Sequence, residues 1–345
     1  MNTVFFDSKM SDDARRRSLY DGQLFVFSPS PSSLELCRLA REMAQEAFGS
    51  PDPQYAQLSL RVEEYVAILA DLKPRFIHHP KCKELLPRIL GELGCDLDKT
   101  YFDVPRMRTS THGGYLTAGM AYAFTPHRDT WHSAPMCQIN WWIPVYEIDP
   151  ENAMAFHLHY WNRAVRNGSA TYNYAEWNRE SRWSAARHIK TDTRKWPLPE
   201  EPLQPDPQLR LICPPGGIIA FSGAHLHSTV PNTSGRTRFS VDFRTVHLDD
   251  ATTETGALNV DSACTGTAMG DYLRCTDRAH IPAELIEKYE AGNVVCLGVA
   301  ASNERRFYPW RRTMGSSMRG GGDVTRGEGF SAPANPPITH RRELP

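Results

Sequence analysis

The 345-residue sequence is short of several features that would place it at once, and each shortage excludes a class. Its eight cysteines (Cys37, Cys82, Cys95, Cys137, Cys213, Cys264, Cys275 and Cys296) are scattered, with no CxxC pair and no tight cluster. That excludes a disulfide-stapled module and a cysteine-based zinc site, and it is the usage expected in a reducing compartment, where thiols act as small buried hydrophobes. No run approaches the roughly 20 apolar residues of a membrane span. The opening Met1–Arg17 follows its short apolar stretch with charge and has no small-residue cleavage site of the secretory kind. An excess of either charge is missing too, with 40 acidic residues against 39 basic ones. That balance gives no reason to expect nucleic acid or an anionic membrane as partner. The expected setting is the cytoplasm and the expected partner a small-molecule substrate, with the oligomeric state left open.

What is present describes an ordinary globular chain, 40% hydrophobic and 23% charged with 8 Trp. The length admits one or two cores, and one core elaborated by long insertions is the expectation. The first third has helical periodicity. Ser30 and Pro31 start a helix whose Leu36, Leu39, Ala40, Met43 and Ala47 recur at helical spacing to about Phe48. A second helix is expected over Tyr55–Leu72, ending before Pro74, and a third over Lys81–Leu93, interrupted by Pro87 and stopped by Gly94.

From about Thr100 the period becomes two. Tyr101–Thr109, Tyr115–Phe124, Cys137–Val145, Leu209–Cys213, Ile218–Phe221, Ala224–Thr229 and Arg238–Val246 are strand candidates, punctuated by Pro-Gly and Ser-Gly turns. Short strands without intervening helices predict a mainly β fold with flanking helices, an antiparallel jelly roll. The expected plan is a single domain over 1–313: a helical N-terminal segment over 1–99, a core of about 100–248 with a long aromatic insertion at 156–207, and a C-terminal extension 249–313 with a short helix at Pro282–Tyr289. A Gly- and Arg-rich tail, 314–345, is expected to be loosely held. There is no internal repeat.

Two regions carry chemistry. In Thr125-Pro126-His127-Arg128-Asp129, a His and an Asp two apart on extended chain point to one side and can bind one metal ion together. Such a triplet is common by chance and needs a second histidine from elsewhere; two His and one carboxylate then occupy one face of an octahedron and leave three positions open. The second region runs from Pro215-Gly216 through Phe221, His225, His227 and Thr229 to a final strand in which Arg238, Ser240, Asp242 and Arg244 share one face and Phe239, Val241 and Phe243 the other. The polar face is either plain surface or the lining of a pocket. In a pocket, the planar fork of an arginine can clamp a carboxylate, with a serine hydroxyl two residues on adding a hydrogen bond.

On these residues the chain resembles the phytanoyl-CoA dioxygenase family, within the 2-oxoglutarate-dependent iron oxygenases. The resemblance spans about Tyr115 to Val246. It rests on His127-x-Asp129, a distal His six residues after the Phe of a Pro-Gly-x-x-x-x-Phe strand, and an Arg eleven residues after that His. It selects His227 over His225, which has the same strand parity, and Arg238 over Arg236, which is nearer the hairpin tip. It implies a double-stranded β-helix (cupin-like) core, Fe(II) held by His127, Asp129 and His227, and 2-oxoglutarate with O2 as co-substrates. It also implies that Arg238 and Thr229 receive the far carboxylate of 2-oxoglutarate, that Phe124 and Trp131 line its pocket, and that Asp149-Pro150-Glu151-Asn152 forms a characteristic turn. The expected reaction is hydroxylation of a C–H bond with release of succinate and carbon dioxide; the retained carboxylate of Asp129 speaks against halogenation. The chain departs from the family pattern at Phe156-His157-Leu158-His159-Tyr160-Trp161, so substrate-binding residues do not carry over.

Other residues have two readings. Gln138 and Asn140 either line the barrel and touch co-substrate or form a half-exposed strand face. Arg106 and Arg108 are anchors for an anionic substrate or surface ion pairs. His132, His157 and His159 are site contacts or satisfied structural groups. Trp161, Trp177, Trp183 and Trp196 form a lid or a packed insertion. The competing function is a metal-binding jelly-roll protein, an isomerase, hydrolase or sensor, that makes no use of 2-oxoglutarate. Arg238 separates the two, because such a protein needs no dicarboxylate clamp.

Overall fold

The computed structural model describes residues 3–121, 123–194, 196–292 and 297–298. The described residues fall within one compact unit; the expected tail, and the end of the extension before it, lie outside the described residues. No helix among the described residues is long and apolar enough to cross a membrane.

Four helices precede most of the strands: α1 (Asp12–Tyr20), α2 (Pro31–Phe48), α3 (Val62–His78) and α4 (Pro80–Glu92). Ser30 caps α2 as expected, its hydroxyl accepting from the Ser33 amide while Ser33 returns the bond. The second helix differs from expectation at both ends, starting at Val62 and running through Pro74. A proline inside a helix forfeits one backbone bond and strains the turn before it. Here buried Leu72 and Phe76 extend the apolar stripe begun by Tyr65, Val66 and Leu69, and burial holds the last turn in place. Pro87 does not break α4 either. The Lys83 carbonyl that a residue-87 amide would have used accepts from the Arg278 guanidinium instead.

The core is a sandwich of two sheets. The large sheet contains β1 (Val4–Phe6), β2 (Leu24–Phe27), β3 (Thr100–Phe102), β4 (Arg106–Ser110), β5 (Ile139–Pro144), β8 (Ile218–Ser222) and β10 (Arg238–His247), in the order β1-β2-β8-β5-β10-β3, with β4 beside the first half of β10. The small sheet contains β6 (Met154–Phe156), β7 (Leu209–Leu211) and β9 (His227–Thr229), in the order β7-β6-β9. It is extended by a bridge between His127 and His227. From β7 onward the strands alternate between the two sheets, as on a jelly-roll path.

Along β10 the two faces have opposite fates. Phe239, Val241 and Phe243 are fully buried against the helices, with Phe239 edge-on to Phe48 of α2. Arg238, Ser240, Asp242 and Arg244 face between the sheets, so the polar face is interior lining. The expected strand Tyr115–Phe124 does not form among its described residues. Gly119 there has φ +72°, and a Cβ on it would lie 2.0 Å from the His188 carbonyl, so the segment is a loop pressed against the insertion. The insertion itself, from Leu158 to Arg187, is a series of short helical turns.

Candidate metal and substrate site

His127 and His227 lie side by side at the edge of the small sheet. Their backbones exchange two hydrogen bonds of 3.0 Å, and their ring centroids are 4.4 Å apart. Asp129 follows two residues after His127, its amide donating to the Gly223 carbonyl at 2.9 Å. The carboxylate reaches within 3.5 Å of His127 Nε2 and 4.0 Å of His227 Nε2. One ligand atom from each of the three residues lies within 4.8 Å of the others. Both histidines place Nδ1 against a backbone carbonyl, Thr125 at 2.8 Å and His225 at 2.9 Å. Those bonds select the Nδ1–H tautomer and leave each Nε2 lone pair facing Asp129, the state a metal ligand requires. Burial pushes the His227 imidazole down to about 4, so it is neutral. Burial alone would raise the Asp129 carboxyl; the charge of Arg244 acts against it, and Asp129 is held well below the usual range.

The other oxygen of Asp129 is bound from the large sheet. Asn140 donates to Oδ2 at 2.8 Å and Gln138 at 3.1 Å; Gln138 also donates to the Asn140 carbonyl oxygen at 2.8 Å and accepts from the buried Tyr272 hydroxyl at 2.7 Å. Asn140, expected against co-substrate, is thus spent on orienting the carboxylate, though it remains at the cavity wall. Arg128, between the two ligands in sequence, points the opposite way. It is fully buried, with Asp261 at 3.0 Å and the carbonyls of Ala224, Tyr160 and Arg163 around it.

Two cavities meet at these residues, sharing Arg108, Phe124, His127, Asp129 and Arg244 as walls. The smaller, about 80 Å³, is closed by Trp142, His227, Thr229 and Arg238. Arg238 donates to the Asn152 carbonyl at 2.9 Å, lies over the Trp142 ring at 5.4 Å, and comes within 3.5 Å of the Thr229 hydroxyl. Its Nε and the Ser240 hydroxyl are buried with no partner among the described residues. Ser240 lies on the same strand face but is not itself a wall of the cavity. The carbonyl that steadies Arg238 comes from the Asp149–Asn152 turn, closed by the Asn152 amide on the Asp149 carbonyl at 3.2 Å.

Two expectations are corrected. Trp131 is not at the cavity: it is fully buried in a separate cluster with Tyr160, Val165 and Leu226, and its indole N–H donates to Asp261 at 2.7 Å, because it lies within the tight helical turn Asp129–His132, which rotates it away. His225 does not share a strand face with His227. Residues 223–225 form a turn, and the His225 ring packs on Trp161 at 4.4 Å with Nε2 on the Gly22 carbonyl. Arg236 pairs with Asp149 at 2.9 Å, away from both cavities. His157 bonds Ser228 and the Pro205 carbonyl, and His159 the Gln204 carbonyl. His132 stands edge-on to His127 in the larger cavity, held neutral by burial, which pushes it down to about 3. Trp177 and Trp196 of the insertion line that cavity; the side chain of Trp183 lies outside what the structure describes. Gln138, Tyr272, Arg128 and Asp261 act around Asp129 without any motif to mark them.

No known family model matches the chain, and no curated protein matches it. The resemblance to phytanoyl-CoA dioxygenases therefore rests on the motif residues alone. Distant likenesses exist among solved structures. AviO1 from Streptomyces viridochromogenes Tue57 is 13% identical over 69% of this chain and 96% of that one, with a TM-score of 0.34. The non-heme alpha-ketoglutarate-dependent carbocyclase SnoK from nogalamycin biosynthesis is 12% identical over 70% and 85%, at 0.35. The non-heme monooxygenase ThoJ is 13% identical over 64% and 72%, at 0.33.

Proposed function

We propose that this protein is an Fe(II)- and 2-oxoglutarate-dependent dioxygenase that hydroxylates a small molecule, with His127, Asp129 and His227 as the metal ligands. The donor set fits the ion: two imidazoles with free Nε2 and one carboxylate leave open positions, as such oxygenases require. When bound, iron(II) with 2-oxoglutarate supplies oxygen activation for attack on an unactivated C–H bond, with succinate and carbon dioxide as co-products. The chain's task is to hold and orient. Asn140 and Gln138 fix the Asp129 oxygen that faces away from the histidines, so the other is presented to the ion. The walls of the larger cavity position one C–H bond and exclude water.

The observation that carries the reading is Arg238. Three arginines of the smaller cavity's wall are Arg108, Arg238 and Arg244; Arg108 has Asp242 at 2.6 Å and Arg244 has Asp103 at 3.5 Å. Arg238 has no carboxylate partner among the described residues, and its Nε is unsatisfied beside the triad. A buried unpaired guanidinium is costly, and a ligand carboxylate satisfies it. Thr229 supports the same end of the ligand, and the unpartnered Ser240 hydroxyl is two residues from Arg238 on the same face of β10.

The test is anaerobic titration of the protein with iron(II) and then 2-oxoglutarate, followed by the weak visible charge-transfer band of a chelated keto-acid, in wild type and Arg238→Ala. A band in wild type that needs far more 2-oxoglutarate in the variant supports the assignment. Iron bound without a band overturns it in favour of a metal-binding jelly-roll protein of other chemistry.

A further inference from the structure

The larger cavity, about 460 Å³, has the size of sites for drug-sized ligands and walls of two kinds. One kind is aromatic: Phe124 beside the triad and Tyr172, Trp177 and Trp196 from the insertion. The other is cationic, with Arg106 and Arg108 from β4 and Lys73 from α3. Most of its cations are already matched. Arg106 is paired with Asp103, Arg194 with Asp192, and Arg108 with Asp242.

Lys73 is the exception. Its ammonium donates to the Met120 carbonyl, and no carboxylate lies within ion-pair distance of it among the described residues. The charges it feels are Arg108, of the same sign, and Asp242, whose oxygens are bound by Arg108. Burial, with Arg108 adding to it, pushes Lys73 down to about 7. What the fold gains from such a group is the bond to the Met120 carbonyl, set against the desolvation cost of its charge. An oxyanion placed beside it would restore the charged form and be held by a strengthened, partly desolvated ion pair.

We infer that the larger cavity takes a small anionic substrate with a flat apolar body. Its carboxylate or phosphate is received by Lys73 and the Nη1 edge of Arg108, and its body lies among Phe124, Trp177 and Trp196. The two carriers of charge then divide the work: Arg238 serves the smaller cavity, Lys73 the larger. This rests on the larger cavity being the substrate site of the proposed oxygenase, but its test needs neither iron nor turnover.

The test is calorimetric binding of 2-naphthoate, 2-naphthyl phosphate and the neutral 2-naphthamide to the full chain, in wild type, Lys73→Met and Lys73→Arg. The expected result is that at least one anion binds wild type about tenfold or more tighter than the amide, as one charged hydrogen bond predicts. The stronger of the two anions identifies the oxyanion. Lys73→Met should bring the preference to within about threefold, and Lys73→Arg should keep it. Equal binding of amide and anions, no binding of either anion, or a preference that survives Lys73→Met overturns the inference; the last result would place the anion on an arginine, Arg108 or Arg238, and not on Lys73. If Lys73→Met does not fold, the wild-type anion-to-amide ratio decides. An anion preference lost with Lys73 in a protein that shows no keto-acid band would overturn the oxygenase reading and leave this one standing.

Discussion

Replacing Arg238 by methionine separates a ligand clamp from a structural anchor, because the two roles predict opposite balances of stability and binding. Burial pulls Arg238 from its ordinary 12.5 to about 10, which corresponds to about 3 kcal/mol against the charged form. Below pH 10 the group is protonated in both folded and unfolded chains, so this cost is constant across the neutral range. Against it stand the charged bond to the Asn152 carbonyl, worth about 1.5–3 kcal/mol, and the stacking on Trp142, worth about 1 kcal/mol. Methionine keeps much of the volume and drops all three contributions, so the unliganded protein should melt within about 3 °C of wild type. Binding of 2-oxoglutarate should fall much further. Loss of two charge-assisted hydrogen bonds costs about 3 kcal/mol at the low end, roughly a hundredfold in Kd. Melting curves with manganese(II), with and without 2-oxoglutarate, read both quantities at once, since a ligand raises stability by RT ln(1 + [L]/Kd). A variant that melts about 10 °C lower yet keeps the 2-oxoglutarate-dependent shift would refute the reasoning. It would show Arg238 to be the anchor of the Asp149–Asn152 turn.

Alanine at His127, Asp129 or His227 should abolish stoichiometric binding of manganese(II) or iron(II), while His225→Ala should retain it; equilibrium dialysis with metal analysis checks this, and retention by any of the three would remove that residue from the ligand set. Asn140→Leu should weaken metal binding about 10–100-fold with little change in the far-ultraviolet spectrum, because Asp129 loses its nearest orienting donor; an unchanged affinity by isothermal titration would deny Asn140 that role. Lys73 gives a pH signature with a definite sign. Its folded value of about 7 lies below the ordinary 10.5, so between these the unfolded chain carries a proton that the native one lacks, and stability rises with pH across that window. Lys73→Met removes this dependence, so its melting temperature relative to wild type should be highest near pH 6 and decline toward pH 9; a difference that does not change with pH would contradict it.

The architecture was legible where periodicity and burial agree. The period-two segments became strands where each had a hydrophobic face to cover, and Phe239, Val241 and Phe243 made Arg238–Val246 a strand candidate before any neighbour was known. Tyr115–Phe124 has the same alternation, but Gly119 in a left-handed conformation and the approach of His188 break it, and neither is written in local pattern. Pro74 and Pro87 misled in the other direction. Each argues locally for a helix end, yet buried Phe76 and the guanidinium of Arg278, 191 residues beyond Pro87 in the chain, compensate from outside the helix. Turn geometry was equally invisible: the parity that made His225 a rival to His227 assumes an extended chain from 224 onward, whereas the chain turns at 223–225.

The His127, Asp129 and His227 cluster proposed to hold the metal was readable because its three residues belong to short segments with characteristic neighbours, whereas the groups that set the state of those side chains come from everywhere else. Asp129 owes its orientation to β5 through Asn140 and Gln138, and beyond them to Tyr272 in the C-terminal extension. Asp261 of the same extension receives both Arg128 and Trp131, which flank the ligand on the opposite face. Such a residue carries no spacing signal, since nothing in a sequence says which of 40 acidic residues will meet a buried guanidinium. Along β10 the division is sharper still. Arg238, Asp242 and Arg244 are equivalent by parity, and what separates them is where carboxylates happen to lie: Asp103 takes Arg244, Arg108 takes Asp242, and Arg238 is left without a carboxylate beside an unpartnered serine hydroxyl. The capacity to bind a ligand is thus a property of what remains unpaired after the fold has matched its own charges, and that remainder can be counted only once the strands are in register.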